Sequence, residues 1–91
     1  MWFDWDERKA ARNLTKHAVS FQEAATVFGD LLSLTYPDRT HSERERRWII
    51  LGLSEKQRVL VVAHTEFADG FRIISARSAT KKERAFYEEN L

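Results

Sequence analysis

Two arginines interrupt the apolar pattern of one predicted strand, and they are the side chains of this sequence best suited to binding a phosphate. The strand covers residues 71–77, where Arg72 and Arg77 have apolar neighbours. A guanidinium is planar, always charged and able to donate two parallel hydrogen bonds to phosphate oxygens. Because side chains two residues apart share a face of a strand, simple alternation predicts one arginine on each face of the sheet.

Further charged residues accompany this strand. Glu45 and Arg47 lie two apart at the start of another strand, and Lys81 and Lys82 open the last helix. In one interpretation each strand arginine covers a sheet edge or pairs with Glu45 or Glu83. In the other, the arginines and lysines form a phosphate-binding surface. The set as a whole favours the second interpretation.

Three histidines offer side chains that titrate near neutral pH. His17 follows Lys16 at the predicted end of the first helix, where a histidine often interacts with the helix dipole. A catalytic role is the alternative. His41 is predicted to be solvated in a charged loop, and His64 to be packed in a central strand. The histidines are far apart, with no carboxylate at ligand spacing, so the sequence predicts no metal site.

Aromatic residues give weaker signals. Trp2, Phe3 and Trp5 have the ring systems needed to stack on bases, but such residues more often cover the edge of a small core. Tyr87 lies one helical turn after Glu83. Its ring either packs on the sheet or its hydroxyl points to the basic surface, and both interpretations stay open.

Length and composition restrict the class of protein. The chain has 91 residues, which predicts one domain over 1–91, and its 43% hydrophobic and 32% charged residues are typical of a globular protein. Without cysteine it has no disulfide, no thiolate zinc site and no cysteine nucleophile. No apolar run approaches the ~20 residues that span a bilayer. The first residues do not resemble a signal peptide, so a cytoplasmic protein is expected.

The formal net charge of +1 conceals an uneven distribution. Residues 1–38 carry four basic and six acidic groups, residues 39–84 carry eleven and six, and residues 85–91 carry two acidic groups. The three segments therefore have net charges of −2, +5 and −2. Such a basic middle is suited to facing a polyanion.

The elements that position these residues follow from periodicity and turn signals. Helices are predicted over about 7–17, 21–28 and 81–89, and strands over 2–5, 31–36, 46–53, 58–66 and 71–77. Ser20 with Glu23, and Thr80 with Glu83, fit reciprocal capping boxes at two helix starts. The prediction is an α+β fold with two N-terminal helices, a mostly antiparallel sheet of four to five strands and a C-terminal helix.

Motifs along nearly the whole chain, from about residue 2 to 89, resemble the BrnT family of toxins from type II toxin–antitoxin systems. The opening segment has Phe3-Asp4-Trp5-Asp6, Lys9, Asn13, Lys16-His17 and Val19-Ser20-Phe21-Gln22-Glu23-Ala24. The middle has Glu45-Arg46-Arg47-Trp48 and Gly52, and the end has Arg72-Ile73-Ile74-Ser75-Ala76-Arg77, Ala79-Thr80, Glu83-Arg84 and Tyr87. One position departs from the family pattern, because Ala18 stands where glycine is usual after Lys-His. If that position has a positive φ, alanine strains the turn.

The resemblance implies a fold related to the RelE ribonuclease toxins and a ribonuclease that cleaves RNA and inhibits translation. It also implies a BrnA-type antitoxin with a ribbon-helix-helix domain, through which the complex reaches operator DNA. No cofactor and no membrane are implied. The alternative is a non-catalytic RNA-binding or protein-interaction module that forms a repressor complex with its antitoxin.

A metal-independent ribonuclease must neutralise the charge that builds up on the attacked phosphate. We assign this role to Arg72 or Arg77, because their guanidinium groups keep their charge. Arg47 and Lys16 are expected to orient the RNA backbone.

Proton transfer needs a group that titrates near neutrality. His17 is the first candidate for general acid or base, and Glu45 is the alternative base. Tyr87 is expected to donate a hydrogen bond to the substrate.

Overall fold

The computed structural model describes residues 2–40 and 46–91. The strands in these residues are β1 (Trp2–Asp4), β2 (Leu34–Pro37), β3 (Trp48–Leu53), β4 (Val59–Phe67) and β5 (Gly70–Ser78). The α-helices are α1 (Glu7–His17) and α2 (Phe21–Thr26), between β1 and β2, and α3 (Lys81–Glu89), after β5. None of these helices is long and apolar enough to cross a membrane.

The strands form one mixed sheet in the order β1-β5-β4-β3-β2. β1 runs parallel to β5, and every other neighbouring pair is antiparallel. β4 is central, and its residues from Leu60 to Thr65 are all buried, as its long apolar run indicates. The predicted α+β class, with two N-terminal helices and a C-terminal helix, is confirmed.

Several element boundaries differ from the prediction by one or two residues, and the start of β2 differs by three. α2 ends at Thr26 and continues as a 3₁₀ turn over Val27–Gly29. β2 begins at Leu34 instead of residue 31, because Asp30 organises a turn before it. The Asp30 side chain accepts a hydrogen bond from the Leu32 N–H at 3.0 Å, which stops the chain from extending until after this turn.

The two faces of the sheet carry separate apolar clusters. We call them the α1/α2 face and the α3 face. On the α1/α2 face the buried cluster consists of Val19, Phe21, Ala24, Val27, Ile50, Leu60, Val62, Ile73 and Ala76. On the α3 face it consists of Leu51, Val61, Ala79 and Tyr87. The second cluster is smaller, so part of the α3 face is left for a polar site.

Arg72 and Arg77 lie on the same face of the sheet, the α3 face, and the prediction of one arginine on each face is wrong. Arg77 pairs with Val61 and Arg72 with Thr65 in the β4–β5 ladder. Val61 and Thr65 are four residues apart on β4 and share a face. A register shift leaves Ile74 as an extra residue in β5, and this β-bulge reverses the alternation between the two arginines.

The buried side chain of Asn13 in α1 joins this helix to the edge of β5. Its Nδ2 donates to the carbonyl oxygens of Ala76 at 2.8 Å and Val19 at 2.9 Å. Its Oδ1 accepts from the Ala76 N–H at 3.0 Å. β1 pairs with β5 only over residues 70–72. Asn13 therefore takes the place of a neighbouring strand for the edge groups of Ala76.

α1 ends in a left-handed residue, as the usual glycine of the family pattern suggests. Ala18 has φ 57° and ψ 32°, and its N–H donates to the carbonyl oxygen of Leu14 at 2.9 Å. This conformation brings the Cβ of an L-residue close to backbone oxygen, a strain that glycine avoids.

The capping box predicted at the start of α2 forms only in half. The Ser20 hydroxyl accepts from the Glu23 N–H at 3.0 Å. The Glu23 carboxylate, however, is buried and bonds Arg58 and the Ser54 hydroxyl instead of the backbone of Ser20. The hydrogen bonds from Arg58 hold the pKa of Glu23 below its usual value. A long-range ion pair thus replaces the local bond that the motif predicts.

We predict that Ala18→Gly stabilises the protein by about 1 kcal/mol, because it removes the strain at a positive φ. For a chain of this size the melting temperature should rise by roughly 4–8 °C in a thermal unfolding experiment. Ala11→Gly is the matched control, since Ala11 is exposed within α1 and glycine there should destabilise by about 1 kcal/mol. A decrease in melting temperature for Ala18→Gly would contradict the prediction.

We predict that Asn13→Ala lowers the free energy of unfolding by about 2–3 kcal/mol, because it leaves the buried edge groups of β5 without partners. Thr15→Ala is the control, since Thr15 is exposed on the same helix and should change stability by less than about 0.5 kcal/mol. Urea unfolding of the variants measures both effects. A loss for Asn13→Ala no larger than that for Thr15→Ala would show that the bridge is dispensable.

Candidate active site

A cavity of about 590 Å³ opens between the end of α1, the start of β3 and the middle of β5. Four of the residues singled out from the sequence line it, namely Lys16, His17, Arg47 and Arg77. Apolar side chains of the α3 face, including those of Ile49 and Ala63, form its floor. The structure therefore brings together basic residues that lie up to 61 positions apart in the chain.

Lys16 and His17 reach the cavity because α1 stops beside it. Lys16 is exposed and His17 is half-buried in the last turn of the helix. The left-handed residue Ala18 turns the chain away directly afterwards, so both side chains stay at the rim. The hydrogen bonds of Asn13 to Ala76 fix this helix end against β5, next to Arg77.

Arg77 is held in one orientation by Glu83 of α3. Its Nη1 and Nη2 donate to the two carboxylate oxygens at 2.7 and 2.9 Å, and Nη1 also lies 3.3 Å from the Ser78 carbonyl oxygen. A guanidinium has five N–H donors, so two remain outside these bonds in the described part of the chain. They belong to Nε and Nη2. One edge of the guanidinium thus binds the protein, and a second edge is left for a ligand.

Glu83 serves both the helix and the site. Its carboxylate accepts from the Thr80 N–H at 2.8 Å while the Thr80 hydroxyl accepts from the Glu83 N–H, so the predicted capping box is complete. The Arg77 hydrogen bonds are the main reason that the pKa of Glu83 falls from 4.5 to about 2. The ionised form is therefore favoured in the folded protein, and the stabilisation is lost as the pH falls from about 4.5 towards 2.

Arg47 enters the cavity from the residue before β3. Its carbonyl oxygen accepts from the Asp38 N–H at 2.9 Å, which extends the β2–β3 pairing by one bond. Asp38 and Thr40 line the same side of the cavity. Glu45, the alternative general base, and His41 lie outside the described residues.

Arg72 is on the same face but belongs to another groove. Its Nη1 donates to the Asp4 carboxylate at 2.8 Å in an exposed ion pair. The groove has a volume of about 320 Å³, and its lining includes Arg46 and Glu66. Arg72 and Arg77 are five residues apart, which places them roughly 15 Å from each other along the strand. Of these two alternatives for the charge-neutralising arginine, only Arg77 lines the cavity.

The remaining predicted residues are elsewhere. Lys81 and Lys82 are exposed on the first turn of α3 and do not line the cavity. Tyr87 is buried, and its hydroxyl donates to the Asp30 carboxylate at 2.6 Å. Burial and this bond raise the pKa of Tyr87 to about 12. The ring of Tyr87 therefore packs on the sheet, which is one of the two interpretations that the sequence left open.

His64, Phe3 and Trp5 belong to or pack against the core, as predicted, whereas Trp2 is 43% exposed. The His64 ring lies between Phe28 and Phe71 at centroid distances of 4.8 and 5.4 Å. Burial lowers the pKa of His64 from 6.5, so protonation at acid pH opposes folding. Phe3 and Trp5 pack against the larger core cluster. These side chains are not positioned to stack on bases.

The sequence pattern did not single out Asp38 and Thr40, which line the cavity, or Tyr36, which is electrostatically coupled to Arg77. Tyr36 on β2 shares the α3 face with Ile49, its partner in the ladder. Its pKa is raised by burial and by the charge of Glu83, with Arg77 acting in the opposite direction. The signal in the sequence was weak. With a predicted strand start at residue 31, the pattern did not show whether Tyr36 and Arg77 lie on the same face of the sheet.

Within residues 2–40 and 46–91, no three histidine, aspartate or glutamate side chains come together as metal ligands would. The chemical groups of the cavity are thus cations, one imidazole and the carboxylate of Asp38. They are suited to binding a phosphate and to moving a proton.

Comparison with known proteins identifies a family and a similar fold. Residues 5–83 match the family described as the ribonuclease toxin BrnT of type II toxin–antitoxin systems. The fold is similar to the crystal structure of the ribonuclease toxin BrnT of Brucella abortus, with a TM-score of 0.68 and 22% sequence identity. The alignment covers 87% of this chain and 96% of that chain. No curated protein sequence matches the chain.

Proposed function

The chain belongs to the BrnT family of ribonuclease toxins of type II toxin–antitoxin systems, and we propose that it is a metal-independent endoribonuclease that inhibits translation in the cytoplasm. The observation that carries the proposal is the convergence of Lys16, His17, Arg47 and Arg77 on one cavity. Cationic side chains at this density favour a polyanionic substrate.

The proposed reaction uses the RNA's own 2′-hydroxyl as nucleophile. Its oxygen attacks the adjacent phosphorus after losing a proton to a base, and the bond to the 5′-oxygen breaks as that oxygen gains a proton. The products are a 2′,3′-cyclic phosphate and a 5′-hydroxyl end. The protein must supply charge neutralisation, positioning and two proton transfers.

Arg77 is the residue to which we assign charge neutralisation. Its pairing with Glu83 leaves two N–H donors on one edge, and the pair limits the motion of the guanidinium. Donors that are already oriented do not need to reorganise when the phosphate gains charge. In this proposal Lys16 and Arg47 hold the neighbouring phosphates.

His17 is the residue to which we assign proton transfer. It is half-buried at the cavity rim, and an imidazole can accept and return a proton near neutral pH. Glu45 remains the alternative base.

The partner that we propose is a BrnA-type ribbon-helix-helix antitoxin, through which the complex would act on operator DNA. We expect it to cover the basic cavity or to place carboxylates there, because burying several cationic side chains without enough counter-charge is costly. Solvent access to Arg77 in a structure of the complex would contradict this expectation.

A second candidate function is RNA binding without cleavage. Arg77 and Arg72 both form ion pairs with carboxylates, and this observation favours it. Such ion pairs are the alternative that the sequence offers to a phosphate-binding surface. Binding without any cleavage by the purified protein would select this alternative.

We predict that Arg77→Ala lowers the rate of RNA cleavage by at least about 100-fold, because one preorganised donor group is lost from the transition state. The measurement is cleavage of fluorophore-labelled RNA, with and without ribosomes, by variants whose fold is verified by circular dichroism. Arg77→Lys keeps a charge beside Glu83 and serves as a second variant if Arg77→Ala is unstable.

Arg72→Ala is the matched comparison, since Arg72 is an ion-paired arginine of the same strand and face outside the cavity. We expect it to change the rate far less than Arg77→Ala. Equal cleavage by folded Arg77→Ala and the parent protein would remove Arg77 from the mechanism.

We predict that RNA cleavage continues in excess EDTA, because the proposed mechanism places its positive charge on side chains. The measurement is the cleavage rate before and after chelation, with the parent protein in the same buffer as control. Loss of activity that Mg²⁺ or Zn²⁺ restores would overturn the metal-independent mechanism.

A further inference from the structure

Three basic residues form a stripe along α1, and of these Lys16 alone lines the candidate active-site cavity. Lys9, Arg12 and Lys16 follow each other at intervals of three and four residues, so they lie on one side of the helix. All three are exposed. The segment of residues 1–38 has a net charge of −2, yet its four basic residues all lie on α1.

A groove of about 280 Å³ runs between this stripe and β5. Lys9 and Arg12 line it together with Lys16 and His17, which also line the active-site cavity. The bulge residue Ile74 and its neighbour Ser75 are likewise shared. The two depressions are therefore continuous, and no carboxylate lines the one beside α1.

The other end of the same sheet face has a different electrostatic character. Around Arg72, the carboxylates of Asp4 and Glu66 offset the charges of Arg72 and Arg46. A polyanion that occupies the cavity is therefore attracted towards α1 and not towards Arg72.

We propose that the groove between α1 and β5 is a second phosphate-binding subsite, which holds the backbone of single-stranded RNA next to the nucleotides in the cavity. The inference rests on the proposed function for the identity of the substrate. The subsite has three cations on one side of the helix, and its lining contains no phenylalanine, tyrosine or tryptophan ring, so it is suited to binding phosphates and not to reading bases. The cleaved RNA must then extend beyond the scissile phosphate on the side of α1.

The test is the affinity for a fluorescein-labelled single-stranded RNA whose 2′-hydroxyls are all methylated, so that the attack of a 2′-oxygen is impossible. Fluorescence anisotropy gives the Kd for Lys9→Gln, Arg12→Gln and the double variant over a series of salt concentrations. Arg84→Gln is the matched control, since it removes the same charge as Arg12→Gln. Arg84 is an exposed cation of α3, and it lines neither the groove nor the cavity.

Each single variant should weaken binding by about fivefold at 0.1 M salt and reduce the slope of log K against log salt by about 0.7. The double variant should reduce the slope by about 1.4, and Arg84→Gln should change neither quantity. Cleavage of long RNA should weaken in the same order, whereas cleavage of a dinucleotide should not change.

Two results would overturn the subsite. In the first, Arg84→Gln weakens binding as much as Arg12→Gln, which would reflect overall charge alone. In the second, the groove variants bind RNA like the parent and lose affinity only for the antitoxin, which would assign the groove to an acidic segment of that protein. If the parent binds the methylated RNA with the expected variant pattern but cleaves no RNA, the proposed function fails and the subsite stands.

Discussion

The hydrogen bonds of one buried side chain hold α1 against β5 at the edge of the candidate active-site cavity. Asn13 bonds both edge groups of Ala76 in β5 and the carbonyl oxygen of Val19 after α1. Because β1 pairs with β5 only over residues 70–72, these groups have no neighbouring strand. The cost of burying them unpaired forces α1 against β5 at one register. That register sets how far Lys16 and His17 lie from Arg77.

Hydrogen bonds to both backbone groups of Ala18 fix the turn after α1, which explains how a strained residue persists beside the candidate site. Ala18 donates to Leu14, and its carbonyl oxygen accepts from Arg58 at 3.1 Å. Arg58 is itself held by the buried carboxylate of Glu23. The contacts around the turn stabilise the left-handed backbone conformation by more than the intrinsic preference of alanine disfavours it. His17 is therefore presented to the cavity by the tertiary structure and not by the helix alone.

Three arginines near the sheet form ion pairs with carboxylates, and in the proposed function this arrangement directs where a polyanion binds. Glu83 orients Arg77 and at the same time caps α3. Asp4 neutralises Arg72 at the opposite end of the same face. The cations of α1 have no carboxylate beside them in the groove that they line. The net charge of +1 is thus compatible with an electrostatic field that differs strongly from one part of the surface to another.

Local patterns in the sequence determined the helices, the central strand and the family, because caps, turn residues and hydrophobic periodicity act within a few positions. They also identified Lys16, His17, Arg47 and Arg77, since these basic residues stand out from their apolar or helical surroundings. Only the tertiary structure decided that Arg72 and Arg77 share a face, because a bulge at Ile74 depends on the register with β4. It also decided that Glu23 pairs with Arg58 instead of capping its own helix, and that Tyr87 bonds Asp30. The last two outcomes depend on partners more than 30 residues away, and the bulge depends on pairing with another strand. No local rule of alternation or capping contains that information.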